Sequence, residues 1–116
     1  MPLAAAILHE GANTYEERSA MYGENFRSFP EVMMGLFPEG IHLQSYEDWM
    51  RMQFVMMNAS KMTRYAANFK RGGHSDSMHD MMVYAAMQDA TDAEFNSNRD
   101  QQRRQGAANE DNGESR

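Results

Sequence analysis

The 116-residue chain contains no cysteine. That excludes a disulfide framework, a thiolate zinc site and a cysteine nucleophile. Long apolar runs are missing as well: no stretch approaches the roughly 18 apolar residues of a membrane span. Met1 to Leu8 is apolar but lacks a basic start, so a signal peptide is not expected and a cytoplasmic location is. Basic residues are in the minority, 11 Lys and Arg against 17 Asp and Glu, for a net charge of −6. A general nucleic-acid binder would present a basic surface instead. No segment alternates with period two in Val, Ile or Thr. There is no Gly-rich phosphate loop, no HExxH and no internal repeat.

Methionine is abundant, with 13 copies, while Ile, Leu and Val are few. Methionine fills irregular spaces and specifies a core less sharply than branched residues do, and it suits adaptable interfaces. From Asn96 onward there is no aromatic residue and no aliphatic side chain larger than alanine. Such a segment cannot offset roughly 1–2 kcal/mol per residue of backbone ordering. Residues 1–95 are therefore expected to form one helical domain, and residues 96–116 a disordered polar tail with a small basic patch at Gln101 to Arg104. A core drawn from so short a domain is marginal for a monomer, so a homo-oligomer is expected.

Four helices are predicted, giving an all-α bundle. Pro2 to Met21 carries Leu3, Ile7, Leu8 and Tyr15 at helical spacing, with Gly11 a point of weakness and Gly23 a stop. Glu24 to Phe37 presents Phe26, Phe29, Val32, Met33, Leu36 and Phe37. Pro30 there either removes one helical bond or opens a separate helix capped by Ser28. Ser45 to about Phe69 starts with the S-x-x-D spacing of a capping box, Ser45 and Asp48. Trp49, Met52, Met56, Ala59 and Met62 or Thr63 form one stripe; Phe54, Val55 and Met57 widen it, so burial on two sides is expected. Asn58, Lys61, Tyr65 and Asn68 form a polar stripe. Gly72-Gly73 stops this helix. The last helix, capped by Ser75 or Ser77, runs to about Phe95, with Met78, Met81, Met82 and Ala85 along one side.

Asp76 and Asp80 are four apart, so both carboxylates leave one helix face. Two readings stand. They can share a divalent cation, since Mg²⁺ wants oxygen ligands. They can equally be first-turn acids that favour the helix dipole. Lys61 and Arg64, three apart on a mostly apolar helix, either bind phosphate or pack their stems on the core with their heads in solvent. His74 and His79 flank the acids but match no zinc pattern, and surface or capping histidines are expected. Glu16, Glu17 and Glu24 read as a solvated face unless the bundle brings them opposite Asp76 and Asp80.

The order of three segments is familiar: Met21-Tyr22-Gly23-Glu24-Asn25-Phe26, then Phe54 to Arg64 with its double Met, Lys61 and Arg64, then His74-Ser75-Asp76-Ser77 running to Asp80 and Tyr84-Ala85. It resembles a group of small phage-encoded domains of unknown function, similar to MazG-like all-α NTP pyrophosphohydrolases. The resemblance implies a nucleotide-binding bundle, often oligomeric, in which Mg²⁺ held by carboxylates of two helices supports hydrolysis of (d)NTP to NMP and pyrophosphate. It implies Asp76, Asp80, Glu16 and Glu17 as metal ligands, with Asp80 and Glu17 catalytic. Lys61 and Arg64 would hold phosphate, and Asn25 and Tyr84 sugar or base. The enzymes' E-E-x-x-E pattern is broken here, since Ala20 follows Glu16-Glu17-Arg18-Ser19. Two alternatives follow: a non-catalytic protein that sequesters a nucleotide signal of host defence, and a structural or interaction protein with no small-molecule ligand.

Overall fold

A computed structural model describes residues 2–114, with side chains described for 2–20 and 23–108. It is all-α: α1 (Leu3–Tyr22), α2 (Asn25–Leu36), α3 (Tyr46–Ala67), a 3₁₀ turn (Phe69–Arg71) and α4 (Ser75–Glu114). No strand occurs among the described residues. α3 is the centre of the bundle, packing most extensively on α4 and next on α2. α1 packs on no other element to a comparable extent.

Local chemistry sets the boundaries. Ser45 Oγ accepts the Asp48 N–H at 3.1 Å, and Asp48 Oδ2 accepts the Ser45 N–H at 3.2 Å. This reciprocal box satisfies two orphan donors of α3's first turn, as its spacing predicts. Asp48 also accepts the Gln44 N–H at 3.1 Å, and these backbone bonds, that of Gln44 first, hold its carboxyl below the ordinary range. At the end of α1, Gly23 adopts φ 66° while its N–H returns to the Ser19 carbonyl at 2.8 Å. A side chain would resist that left-handed conformation. Gly11 does not interrupt α1. Pro30 lies inside a single α2 rather than opening a new helix, and Ser28 donates back to the Asn25 carbonyl instead of capping.

The start of α4 differs from expectation. Neither Ser75 nor Ser77 caps it. His74 does, its Nδ1 accepting the Ser77 N–H at 3.2 Å and lying 2.5 Å from Ser77 Oγ. Ser77 is consequently the most buried side chain described, at 1% exposure.

α3 is buried on two sides, through Met52, Phe54, Ala59 and Thr63. Two members of its polar stripe, Asn58 and Lys61, face α4, and the two helices run antiparallel with polar rungs between them. Glu47 meets Arg99, Arg51 Nε meets Asp92 Oδ1 at 2.8 Å, Asn58 Nδ2 meets Gln88 Oε1 at 3.4 Å, and Lys61 Nζ meets Asp80 Oδ2 at 2.9 Å. Tyr46 and Phe95 close one end edge to face, their centroids 6.2 Å apart. This pairing rotates α4 away from the predicted side. Ser77, Met81, Tyr84, Gln88 and Phe95 turn inward, while Met78 and Met82 are exposed.

Past Phe95, where the sequence suggests a helix end, α4 continues through the polar segment to Glu114. The physical basis for separating that segment persists: residues 96–108 are all exposed, and only Arg99 reaches back to the bundle with a charged contact. The molecule is accordingly long, 78 × 41 × 28 Å, with a radius of gyration of 21.9 Å. A compact chain of this length has a radius of about 13 Å.

Candidate functional site

The backbone turn at Gly23 sets α1 beside the start of α2 and the C-terminal half of α3. A cavity of about 310 Å³ lies between them, lined by Gly11, Thr14, Tyr15, Arg18 and Ser19 of α1, by Gly23, by Asn25 and Phe26 of α2, and by Arg64 of α3. Two residues expected to touch a nucleotide, Asn25 and Arg64, thus meet in one place although 39 positions separate them in the chain. Asn25 is oriented by a bond from its Nδ2 to Thr63 Oγ1 at 3.3 Å, and Thr63 is buried. Arg18 joins them. No carboxylate is among the lining residues. A neighbouring cavity also uses Asn25, with Thr63, Arg71 and the carboxylate of Glu24. Across the two cavities Arg18, Arg64 and Arg71 thus stand about the start of α2, with Glu24 among them on the side of the second.

The other two expected nucleotide contacts sit elsewhere. Lys61 and Tyr84 line a separate cleft of about 310 Å³ with Phe29, Met56, Met57 and Ser60. Asn25 and Phe29 are one turn apart on α2, and Lys61 and Arg64 three residues apart on α3. The two cavities thus use neighbouring positions of the same two helices, but the four expected residues do not share one chamber.

The expected metal ligands do not gather in this chain. Among the described residues, no three His, Asp or Glu side chains form a group able to hold a metal ion. Asp76 is exposed in the first turn of α4. Glu16 and Glu17 are exposed on α1, the helix with the fewest tertiary contacts. Asp80 is engaged by Lys61. That bond first, then the charges of Lys61, His79 and Arg64, holds the Asp80 carboxyl below the ordinary carboxylate range against a partial desolvation. A hard divalent ion needs several oxygen ligands at once, so the donor set of a single chain does not fit Mg²⁺. Of the expected catalytic pair, Asp80 is bonded to Lys61 and Glu17 is exposed on α1. Glu24, the third acid of that region, accepts from Tyr15 at 3.3 Å and from Arg27 at 2.5 Å.

Sequence reasoning missed Arg18, which beside Glu16 and Glu17 reads as a solvated face. A signal existed: Arg18 lies four residues after Thr14 and seven after Gly11, on one helical stripe. Comparison with protein-family models, curated proteins and solved structures returns no match.

Proposed function

We propose that this chain binds a nucleotide, holding its phosphate end in the cavity at the start of α2. The observation that carries the reading is the convergence of Arg18, Arg64 and Asn25 in about 310 Å³ with no carboxylate among the lining residues. Guanidinium groups pair with phosphate oxygens in fork geometry. The amide of Asn25 can serve sugar hydroxyls, and Phe26 and Tyr15 offer ring surfaces. Pockets of 300–1,000 Å³ are the usual size for small ligands. The resemblance to small phage-encoded, MazG-like domains supports the same ligand class, and with it the cytoplasm of an infected bacterium as the place of action.

Binding without turnover is the favoured form of this reading. Pyrophosphohydrolysis in MazG-like enzymes depends on metal-bearing carboxylates, whereas here Asp80 is occupied by Lys61 and no acidic group forms among the described residues. A protein of this kind sequesters a signal nucleotide and returns it intact.

The test is calorimetry with nucleoside mono- and triphosphates and cyclic dinucleotides, with and without Mg²⁺. At least one class should bind, with recovered ligand unchanged. Arg64→Ala should weaken binding about 10- to 100-fold, the worth of one charged hydrogen-bonded contact. Release of pyrophosphate that Asp80→Asn abolishes would move the reading to an enzyme. The absence of binding by every class would overturn it and leave an interaction protein.

A further inference from the structure

The outer side of α4 carries a group of soft donor atoms that the nucleotide reading does not use. The inward side of the helix is set by Ser77, Met81, Tyr84 and Gln88. Met78 and Met82 are left outside, 47% and 62% exposed. They are four residues apart, so their Cβ atoms stand roughly 5–6 Å from each other on one face. Among the described residues they are the one pair of exposed methionines a helical turn apart. Met34, Met56, Met62 and Met87 have no exposed methionine at that spacing. His79 is exposed too and lies three residues before Met82. At about 100° per residue, Met78, His79 and Met82 share roughly 100° of the helix circumference.

Two thioethers and an imidazole are a donor set for a soft metal ion. Thioether sulfur selects Cu(I), and imidazole also suits copper, whereas hard cations want oxygen. The oxygen-rich alternative is missing: among the described residues no group of His, Asp and Glu side chains can hold an ion. No thiolate competes either, because the chain has no cysteine. His74, four residues before Met78, spends its Nδ1 on the cap of α4. Methionine is unbranched, with three rotatable bonds, so both sulfurs can swing to one point near the His79 ring. The α4 backbone meanwhile fixes the spacing from which they reach. Core packing does not account for the pair, since Met81 between them already supplies the inward methionine of this turn.

We propose that Met78, His79 and Met82 form a binding site for Cu(I), independent of the nucleotide cavity. Silver(I), which shares the soft chemistry and keeps its oxidation state, is the first probe. It is added in chloride-free buffer to the full chain with isotope-labelled methionine methyl groups. The Met78 and Met82 signals should shift at one equivalent while those of Met34 and Met62 stay in place. Met78→Leu together with Met82→Leu keeps the apolar bulk and the helix and removes the two sulfurs. That variant should weaken silver binding in calorimetry at least tenfold. His79→Gln should weaken it by a smaller factor. Copper(I), held reduced by ascorbate and competed against bicinchoninate, should show the same order of variants. Equal affinity in the double-leucine variant would overturn the site, as would methyl shifts spread evenly over the exposed methionines. Silver binding with no uptake of copper(I) would overturn the assigned ion.

Discussion

Lys61 Nζ lies 2.9 Å from Asp80 Oδ2, joining the C-terminal third of α3 to the second turn of α4. The pair sits where a metal-binding carboxylate was expected, and it makes a pH-dependent strut. The Asp80 carboxyl is held below its ordinary value, first by the bond from Lys61. The folded chain thus releases this proton more readily than the unfolded chain. Between the two pKa values the unfolded state binds more protons, so stability rises with pH there. The contribution is complete above about pH 4, the unfolded carboxylate value, and is lost as pH falls through the folded value. Thermal unfolding from pH 2 to 6 should show this slope, and Asp80→Asn should reduce it, leaving the part that comes from Asp48, whose carboxyl is also held low. Because Asp80 is 41% exposed at its side chain, 1 M salt should reduce the effect.

The start of α3 offers a second measurement. Ser45→Ala removes one half of the reciprocal cap and should cost about 1 kcal/mol in urea unfolding. Asp48→Ala should cost more. Its carboxylate accepts from both Gln44 and Ser45 and lies in the first turn, where a negative charge also favours the helix dipole. Equal costs for the two variants would contradict this division.

Gly72 and Gly73 separate two effects of a methyl group. Both have positive φ, 103° and 86°. At Gly72 a Cβ would meet open space, whereas at Gly73 it would come 2.7 Å from Tyr65 Cε2. Gly72→Ala should therefore show backbone strain alone, about 1 kcal/mol, and Gly73→Ala about 2–3 kcal/mol as Tyr65 is displaced. The Tyr65 ring also packs edge to face on Phe69 at 6.4 Å, so its movement should be visible in the near-ultraviolet dichroism of the Gly73 variant.

The two halves of α4 should behave differently. Ending the chain after Asp100 removes a segment whose described side chains, residues 101–108, are all exposed, and should shift the melting temperature by less than about 2 °C. Ending it after Ala90 also removes Asp92, Phe95 and Arg99, which engage Arg51, Tyr46 and Glu47. A loss of about 1–2 kcal/mol there corresponds to several degrees or more in a chain of this size. Amide exchange should be fast beyond Arg99 and slow near Tyr84.

Much of the fold was readable because its signals are local. Ser45 and Asp48 are three residues apart, and that spacing alone defines their box. Gly23 and Gly72 mark positions that other residues avoid. The four helices follow from such signals and from apolar periodicity. What was not readable depends on how helices pair. Met78 and Met82 recur at helical spacing as well as Ser77, Met81 and Tyr84 do. The choice between the two faces is made by Lys61, Asn58 and Arg51 reaching across from another helix. The same holds for the site. Asn25 and Arg64 were recognisable singly, but their meeting depends on Gly23, and Arg18 gave no sign beyond its register. His74 was readable as a surface or capping histidine, but the choice between it and Ser75 or Ser77 was not, because the usual capping side chains are hydroxyls and carboxylates, whereas here an imidazole nitrogen accepts the bond.

The central place of α3 has a consequence for how the chain comes to be folded. Its main contacts are with the helices immediately before and after it in sequence. Short-range topology of this kind gives fast folding. It also lets the bundle close vectorially during synthesis, α2 on α3 first and α4 last. α1 is the exception. It leaves the ribosome before any of the others, yet it is the helix that packs least on the rest of the bundle, so its order draws least on the closing of α2, α3 and α4.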